Sequence, residues 1–330
     1  MPERIPMMIR GMGSALPSRI MTNADFEKTL DTSDEWIRTR SGIRERRIAS
    51  DGENTLTLAV AAARGALANA GLTATDLDLI VLATCTPAYP IPATACFVQH
   101  ELGCRPIPAC DVAAACSGLV YALVAASCLM HAGGCRTVLV VGAETMSAFT
   151  DFEDRATCVL LGDGAAAAVI TPADNPVSGL YDQCLGADGS GAKLIWVPAG
   201  GAAEPASTKT VNERLHFMKM KGREVYKFAV TKMREVLAEA IERAGISMAD
   251  VKLVIPHQSN LRIIESAAER LGLPPEKVAV NIDRYGNTSA ASIPLALEEA
   301  WRTGRVSRGD WVLLAGFGGG LTWGTALLRL

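Results

Sequence analysis

An internal repeat limits the possible folds of this chain more than any other feature of its sequence. Residues 66–81 (ALANAGLTATDLDLIV) resemble residues 240–255 (AIERAGISMADVKLVI), and residues 138–142 (VLVVG) resemble residues 312–316 (VLLAG). Both pairs are separated by 174 positions. A chance likeness between two amphipathic helices would not place a second pair at the same separation. We therefore predict two copies of one architecture, in residues 1–174 and 175–330.

Each copy has the sequence pattern of alternating helices and strands. Helices are predicted over residues 55–70 and 224–244, and each ends at a glycine, Gly71 or Gly245, where a left-handed cap costs little. Apolar strands are predicted over residues 77–83 and 138–141, and over 251–256 and 311–315. Continuously apolar strands alternating with helices are typical of parallel-type sheets buried on both faces. Two such halves would bring loops from both copies to a shared interface.

Composition narrows the class of protein. The net charge of −3 gives no basic face for nucleic acid. No apolar run approaches the ~20 residues that span a bilayer, and the first residues lack the pattern of a secretion signal. We expect a globular protein of the cytoplasm with no nucleic-acid or membrane partner.

The nine cysteines are all found before residue 185, their number is odd, and none forms a CxxC pair. Disulfides and structural zinc are therefore poor interpretations, and we expect no metal site. Most of the cysteines lie among Ala and Val residues. We predict that these are small buried hydrophobic residues and that at most one or two of the nine are chemically active.

Cys116 is the strongest nucleophile candidate. It lies in the segment DVAAACSGLVYAL, where small residues precede a helix-forming run. A cysteine at a helix N-terminus gains from the partial positive charge there, which lowers its pKa and favours the thiolate. A packed core thiol remains the alternative on local sequence alone.

His257 and Asn287 are the candidate partners of the nucleophile. His257 follows an apolar strand, and the carboxyl ends of such strands are the usual ligand sites of open α/β sheets. Asn287 lies three residues before Ala290, the position 174 residues after Cys116. The repeat therefore places Asn287 in the second copy of the nucleophile loop. A structural histidine and a turn with a helix cap are the alternatives.

A glycine-rich segment, AGFGGGLTWG, follows the last predicted strand over residues 315–324. Consecutive glycines allow a close backbone approach and exposed amides, which an oxyanion hole needs. A turn between two strands is the structural alternative. The segment lacks the lysine of a phosphate-binding P-loop.

Together these segments resemble the β-ketoacyl-acyl-carrier-protein synthase III family of thiolase-fold condensing enzymes. The resemblance covers nearly the whole chain, and its motifs are 32–37 (TSDEWI), 40–46 (RSGIRER), 115–118 (ACSG), 162–164 (GDG), 257–260 (HQSN), 286–287 (GN) and 318–324 (GGGLTWG). It implies an α/β fold of five layers, αβαβα, with internal duplication, and a homodimer.

The resemblance also implies a reaction. Cys116 would take an acyl group from acyl-CoA, and His257 and Asn287 would bind the thioester oxygen of malonyl-acyl-carrier-protein during decarboxylation. Backbone amides of Cys116 and Gly319 would form the oxyanion hole. The result would be a ping-pong Claisen condensation that initiates fatty acid synthesis. No cofactor is implied, because coenzyme A enters as the substrate thioester.

Binding sites are implied by the same resemblance. Trp36 and Arg155 would sandwich the adenine of coenzyme A, and its channel would be lined by Arg40, Gly222 and Asn260. Two aromatic residues would bound the acyl pocket: Phe317, and Tyr89 from the partner subunit. The preferred acyl chain does not transfer from the family.

Two basic segments fit these partners. Residues 38–47 contain five arginines and one glutamate, which suits coenzyme A phosphates. Residues 214–234 contain seven basic residues and one glutamate. With Arg262, this segment, including Lys227, resembles a docking patch for an acidic carrier protein. A solvated helix face is the alternative.

Single residues distinguish this chain from enzymes of the same fold that have related activities. Degradative thiolases need a second cysteine near the C-terminal glycine motif, and this chain has none after Cys184. Elongating synthases use two histidines, whereas the last hundred residues hold only His257. A synthase or acyltransferase of secondary metabolism, of the polyketide or quinolone type, remains open. So does a non-catalytic partner that binds carrier protein.

Overall fold

The computed structural model describes residues 4–330 and is a mixed α/β protein. Its strands are β1 (Met7–Ala15), β2 (Ile20–Thr22), β3 (Glu45–Arg47), β4 (Leu79–Ala83), β5 (Ala109–Val112), β6 (Val138–Thr145), β7 (Asp163–Pro172), β8 (Gly179–Ala187), β9 (Ile195–Trp196), β10 (Lys219–Met220), β11 (Val251–Pro256), β12 (Trp311–Gly318) and β13 (Thr322–Arg329). Its helices are α1 (Asn23–Glu27), α2 (Asp34–Ser41), α3 (Thr55–Ala70), α4 (Thr94–Leu102), α5 (Gly118–His131), α6 (Arg155–Cys158), α7 (Thr208–Asn212), α8 (Gly222–Ala244), α9 (Leu261–Arg270), α10 (Ile282–Tyr285) and α11 (Ser292–Arg302).

Two sheets form the body of the molecule. The first has the strand order β1-β7-β6-β4-β5, and the second has the order β11-β12-β13-β8. Pairs β4–β5, β4–β6 and β11–β12 are parallel, whereas β1–β7, β6–β7, β12–β13 and β13–β8 are antiparallel. The expectation of parallel sheets is confirmed for the four predicted strands, which are β4, β6, β11 and β12. It is wrong for β7 and β13, which pair antiparallel with both of their neighbours. Apolar composition reports burial on both faces, and it does not report strand direction.

Helices separate and cover the sheets in five layers. Helix α3 packs on β1, β7 and β6, and α8 packs on β12, β13 and β8. Helices α5 and α11 contact strands of both sheets and lie between them. The largest apolar cluster lies in this middle layer and joins residues of both halves. The αβαβα arrangement predicted from the resemblance is confirmed.

The repeat extends to the backbone conformation. Helices α5 and α11 begin 174 residues apart, at Gly118 and Ser292, each after a single 3₁₀ turn. Ala115 and Ser289 occupy equivalent positions, with φ values of 46° and 49° that are unusual for residues other than glycine. Both copies thus carry the same strained turn before the middle helix. The division at residue 174, which falls between β7 and β8, stays a prediction.

Several element boundaries match the sequence pattern. Helix α3 spans Thr55–Ala70, and the glycine caps Gly71 and Gly245 have φ values of 67° and 64°. Strands β6 and β12 run further than predicted, to Thr145 and Gly318, because pairing with an antiparallel neighbour continues the ladder. The end of β12 therefore includes part of the glycine motif.

The cysteines are less buried than predicted. All nine are free thiols, and only Cys135 and Cys158 are buried. Cys85, Cys96, Cys110 and Cys128 are exposed, so the expectation of core packing was wrong for these four. Within residues 4–330 no three His, Cys, Asp or Glu side chains are grouped as metal ligands, and none of the helices is long and apolar enough to cross a bilayer.

Candidate active site

Cys116 lies in the 3₁₀ turn Ala115–Ser117, directly before the first residue of α5. The turn is fixed by Ser117, whose hydroxyl donates to Ala114 O at 2.7 Å and lies 2.8 Å from the hydroxyl of Thr322. Burial raises the pKa of the Cys116 thiol to about 11, although a hydrogen bond from Ser289 opposes this change. The predicted low pKa is therefore not found. Removal of the thiol from water is the largest cause of the raised pKa.

The end of β12 lies against the nucleophile turn. A Cβ atom placed on Gly318 would lie 2.6 Å from the backbone nitrogen of Cys116, and one on Gly316 would lie 2.9 Å from Cα of Ser117. Side chains at these positions would displace the turn. These two glycines therefore serve close packing against the nucleophile turn, whereas Gly319 and Gly320 lie in the turn between β12 and β13.

His257 follows β11 and is buried, with 1% of its surface exposed. Its backbone N–H donates to Ala315 O at 2.7 Å, and its Nδ1 is hydrogen-bonded to Ser292 Oγ at 2.6 Å. The ring packs edge-on against Phe317, with centroids 5.5 Å apart. Burial lowers the pKa of the imidazole to about 3, so the ring is neutral at neutral pH. Ser292 fixes one nitrogen and leaves Nε2 available.

Asn287 lies in the loop between α10 and α11, and this loop is held by the first half of the chain. Its backbone N–H donates to Leu160 O at 2.8 Å, and its carbonyl accepts from Gly162 N at 3.0 Å. The side-chain Oδ1 accepts from the backbone N–H of Ser289 at 2.9 Å. Because Oδ1 is occupied, the carboxamide presents its Nδ2 hydrogens to the site.

Cys116, His257 and Asn287 line one cavity, as the sequence predicted for the three residues together. The same cavity is lined by Gly222, Asn260 and Phe317. A second cavity lies on the other side of Cys116, with walls from Cys85, Met146, Phe149, Trp196, Met218, Ser289 and Gly319. The sulfur therefore lies between a cavity that reaches α8 and a separate, largely apolar one.

The residues predicted to hold adenine contact each other. The guanidinium groups of Arg40 and Arg155 lie over the Trp36 ring, 4.7 and 5.0 Å from its centroid. Arg155 also donates to the backbone carbonyl of Asp31. A ring between Trp36 and Arg155 would require Arg155 to move. Asn260 joins this region to the cavity, because its Nδ2 donates to Arg40 O at 2.9 Å.

The arginine-rich segment is only partly available to a ligand. Arg46 is completely buried, and it donates to Asn23 Oδ1 at 2.9 Å and to Val159 O at 2.6 Å. Burial lowers the pKa of its guanidinium to about 10. The expectation that all five arginines suit phosphates was wrong for Arg46. Its side chain instead joins the two-stranded sheet of β2 and β3 to the loop before β7.

In the second basic segment, residues 214–234, some basic side chains are likewise held by contacts within the protein and others are exposed. Arg214 pairs with Asp151 and Glu153, and Lys232 pairs with Glu235 at 2.8 Å. Lys227 on α8 and Arg262 on α9 are exposed. Neither forms an ion pair with any residue in the described range 4–330. Their charges are therefore free to face a partner.

The two aromatic residues predicted for the acyl pocket lie apart. Phe317 packs against His257 and lines the first cavity, whereas the apolar second cavity has other walls. Tyr89 is 55% exposed and packs on Phe97 with centroids 5.3 Å apart. The role of Tyr89 in a partner's pocket stays a prediction.

Three polar residues of the site were missed by the sequence reasoning. Ser292 binds His257, and Ser289 and Glu144 lie beside the second cavity. The repeat offered a signal for Ser289, because this position corresponds to Ala115 in the nucleophile turn. Glu144 gave no signal, since it lies at the end of an apolar strand.

Comparisons with known proteins agree with this geometry. Residues 110–189 match the family described as 3-oxoacyl-[acyl-carrier-protein (ACP)] synthase III, and residues 241–330 match its C-terminal family. A β-ketoacyl-[acyl-carrier-protein] synthase III of Roseiflexus castenholzii is 52% identical over 321 residues, which cover 97% of each chain.

Solved structures give the same picture. The 3-oxoacyl-[acyl-carrier-protein] synthase III of Aquifex aeolicus VF5 has a TM-score of 0.91 and 48% identity, covering 98% of this chain and all of its own. The priming β-ketosynthase of the R1128 polyketide biosynthetic pathway has a TM-score of 0.90 and 37% identity, covering 100% of this chain and 98% of its own.

Proposed function

The chain belongs to the β-ketoacyl-acyl-carrier-protein synthase III family, and from that premise we propose the reaction and the residues that perform it. The protein is a condensing acyltransferase. It joins an acyl-CoA starter to malonyl-acyl-carrier-protein with loss of CO₂ and so initiates fatty acid synthesis. The observation that carries the proposal is the shared cavity of Cys116, His257 and Asn287.

Acylation is the first half-reaction. The Cys116 sulfur attacks the carbonyl carbon of acyl-CoA, and the bond from that carbon to the coenzyme A sulfur breaks. Backbone N–H groups of Cys116 and Gly319 bind the oxyanion of the tetrahedral intermediate, where negative charge develops in the transition state. A covalent acyl-cysteine divides the transfer into two easier steps.

Condensation is the second half-reaction. His257 Nε2 and Asn287 Nδ2 donate to the thioester oxygen of the malonyl group as CO₂ leaves and an enolate forms. Ser292 supports this role, because its hydroxyl accepts from Gln258 N at 3.3 Å and can donate to His257 Nδ1. That arrangement places the imidazole proton on Nε2. Neutral donors suit this step, since they stabilise the enolate without protonating it.

Substrate binding follows from the surroundings of the cavity. Trp36 and Arg155 bind the adenine of coenzyme A after Arg155 rotates away from the ring, and the channel runs past Arg40, Gly222 and Asn260. Lys227 and Arg262, which are exposed and form no ion pair within residues 4–330, attract the acidic carrier protein. The apolar second cavity takes the acyl chain, with Tyr89 from the partner subunit as a boundary and Phe317 closing the other side of Cys116.

We further propose a homodimer in the cytoplasm that uses no cofactor beyond its substrates. Exposed apolar side chains support the dimer: Tyr89 and Ile91 are 55% and 85% exposed in a segment that follows β4. Such a patch is unfavourable in water unless it is covered. A second copy of the chain would cover it.

Mass spectrometry of the protein after exposure to a mixed acyl-CoA pool tests the proposal. We expect one acyl adduct on Cys116, transfer of that adduct on addition of malonyl-acyl-carrier-protein, and no adduct in Cys116→Ala. An adduct retained by Cys116→Ala would refute the nucleophile. An inert Cys116 would favour a non-catalytic carrier-protein partner.

The R1128 relative supports a second candidate, a priming synthase of secondary metabolism. The two candidates use the same residues and differ in the carrier protein. Single-turnover transfer to carrier proteins of fatty acid and polyketide synthesis separates them. Faster transfer to the polyketide carrier would select the second candidate.

A further inference from the structure

Thr322 is the first residue of β13 and directly follows the glycine turn, residues 319–321. The glycine motif contains this threonine, but the proposed reaction gives it no role. Its backbone is held between two strands, because Thr322 pairs with Gly318 of β12 and with Ala187 of β8. A threonine side chain is branched at Cβ and has a restricted χ1 angle. The Thr322 hydroxyl is therefore a well-fixed group beside the glycine turn.

That hydroxyl lies between the glycine turn and the nucleophile turn. On one side it donates to Gly319 O at 3.1 Å. On the other side Thr322 Oγ1 lies 3.0 Å from Ala114 O and 2.8 Å from Ser117 Oγ. Ala114 O already accepts from the N–H and the hydroxyl of Ser117, at 3.2 and 2.7 Å. Since a carbonyl oxygen has two lone pairs, the Thr322 proton is left for Gly319 O.

The two amides of the proposed oxyanion hole come from the two sides of this contact. The Cys116 N–H belongs to the nucleophile turn in the first half of the chain, and the Gly319 N–H belongs to the glycine turn in the second half. Neither N–H donates to a backbone carbonyl within residues 4–330. Both donors must lie about 2.7–3.1 Å from the developing oxyanion. The relative position of the two turns therefore decides whether both amides can bind it.

The glycine turn is anchored at both ends. Leu321 and Asp188 exchange two backbone hydrogen bonds, each of 2.8 Å. Gly319 lies two residues earlier, and consecutive glycines have no side chains that restrict their backbone angles. The hydrogen bond from Thr322 is the one that fixes the Gly319 carbonyl. Loss of this bond would leave the Gly319 amide held only through its chain neighbours.

We propose that Thr322 is a positioning residue, which holds the Gly319 amide in register with the Cys116 amide for the tetrahedral intermediate. This proposal rests on the proposed acyl-cysteine chemistry. Thr322 lines neither cavity beside Cys116, so it acts through Gly319 and transfers no proton. Its effect is confined to steps in which a carbonyl oxygen gains negative charge. Both half-reactions contain such a step, first at the acyl-CoA carbonyl and then at the acyl-cysteine carbonyl.

The first test compares two reactions of the Cys116 sulfur. Acylation by acyl-CoA passes through an oxyanion, whereas alkylation by iodoacetamide displaces iodide from a saturated carbon and forms none. Thr322→Val removes the hydroxyl and keeps the branched shape, so single-turnover acylation slows by about 10- to 100-fold. Alkylation proceeds at the wild-type rate across a pH series. A structural defect in the nucleophile turn would slow both reactions.

The second test separates the lost hydrogen bond from a change in packing. Thr322→Ser keeps the hydroxyl and acylates at the wild-type rate. Thr322→Ala removes the hydroxyl without placing a methyl group beside Gly319 O, and it acylates as slowly as Thr322→Val. The KM for acyl-CoA stays at the wild-type value in all three variants, because only the transition state loses a donor.

Thr325→Val is the matched control for both tests. Thr325 is a buried threonine of the same strand, and its hydroxyl has no hydrogen-bond partner within residues 4–330. The substitution therefore makes the same chemical change without breaking a hydrogen bond. Acylation and alkylation both keep their wild-type rates in this variant.

Several results would overturn the role of Thr322. Wild-type acylation in Thr322→Val or Thr322→Ala would show that the hydroxyl does not position the amide. Equal slowing of acylation and alkylation, slow acylation in Thr322→Ser, or an equal loss in Thr325→Val would reduce Thr322 to a structural support. A wild-type enzyme that forms no acyl-Cys116 would instead refute the proposed function itself.

Discussion

Gly318→Ala tests how closely the end of β12 controls the nucleophile. The added Cβ would lie 2.6 Å from Cys116 N, whereas ordinary contacts begin near 3.4 Å, so the turn must move by about 0.8 Å. A misplacement of about 1 Å at a reacting group costs about 100-fold in rate. Overpacking of this kind costs about 1–3 kcal/mol of folding free energy. We therefore expect slow acylation in a protein that still folds.

The assay is the rate of acyl-Cys116 formation from acyl-CoA, measured by quenched mass spectrometry, with urea unfolding as the stability measurement. Gly201→Ala is the matched control, because a Cβ there meets no atom within 4 Å. It should retain the wild-type acylation rate. If Gly318→Ala acylates as fast as the wild type, the contact between β12 and the nucleophile turn does not control catalysis.

The remaining predictions concern four other regions. Ser292→Ala should slow condensation about tenfold more than acylation in single turnovers, because the imidazole loses the bond that orients its proton. Arg46→Met should lower the urea unfolding free energy by about 1–3 kcal/mol, since buried neutral acceptors lose their charged donor; an unchanged or higher unfolding free energy would contradict this. The pKa of His257 is about 3 in the folded state. The pKa of a histidine in the unfolded chain is near 6.5. Above pH 6.5 both states hold the neutral ring, and as pH falls below 6.5 the folded state loses stability, because the unfolded chain binds a proton that the folded one does not. Between pH 7 and 5 the wild type should lose about 2 kcal/mol more than His257→Gln; equal losses would refute the assigned burial effect. Lys227→Glu with Arg262→Glu should raise the KM for malonyl-acyl-carrier-protein about tenfold and leave that for acyl-CoA unchanged; a parallel rise in both would exclude a docking role.

The repeat made much of the fold predictable. The offset of 174 residues predicted that α3 corresponds to the end of α8 and that β6 corresponds to β12. The glycine caps predicted where both helices end. The antiparallel direction of β7 and β13 was not predictable, because a strand buried on both faces is apolar whether its neighbour is parallel or antiparallel. The exposure of Cys85 and Cys128 was missed for a related reason: small apolar neighbours in sequence do not define what covers a side chain in space.

Sequence by itself indicated the two-copy architecture and selected Cys116, His257 and Asn287 as candidates, because residue types and a fixed offset are properties of the chain. Tertiary structure decided their chemical state. Burial raises the pKa of Cys116 to about 11, against the expectation from a helix terminus, and burial also keeps His257 neutral. Only packing of the two halves brings His257, Asn287 and Ser289 to the cavities that Cys116 lines, since hydration and long-range contacts depend on which surfaces the fold removes from water.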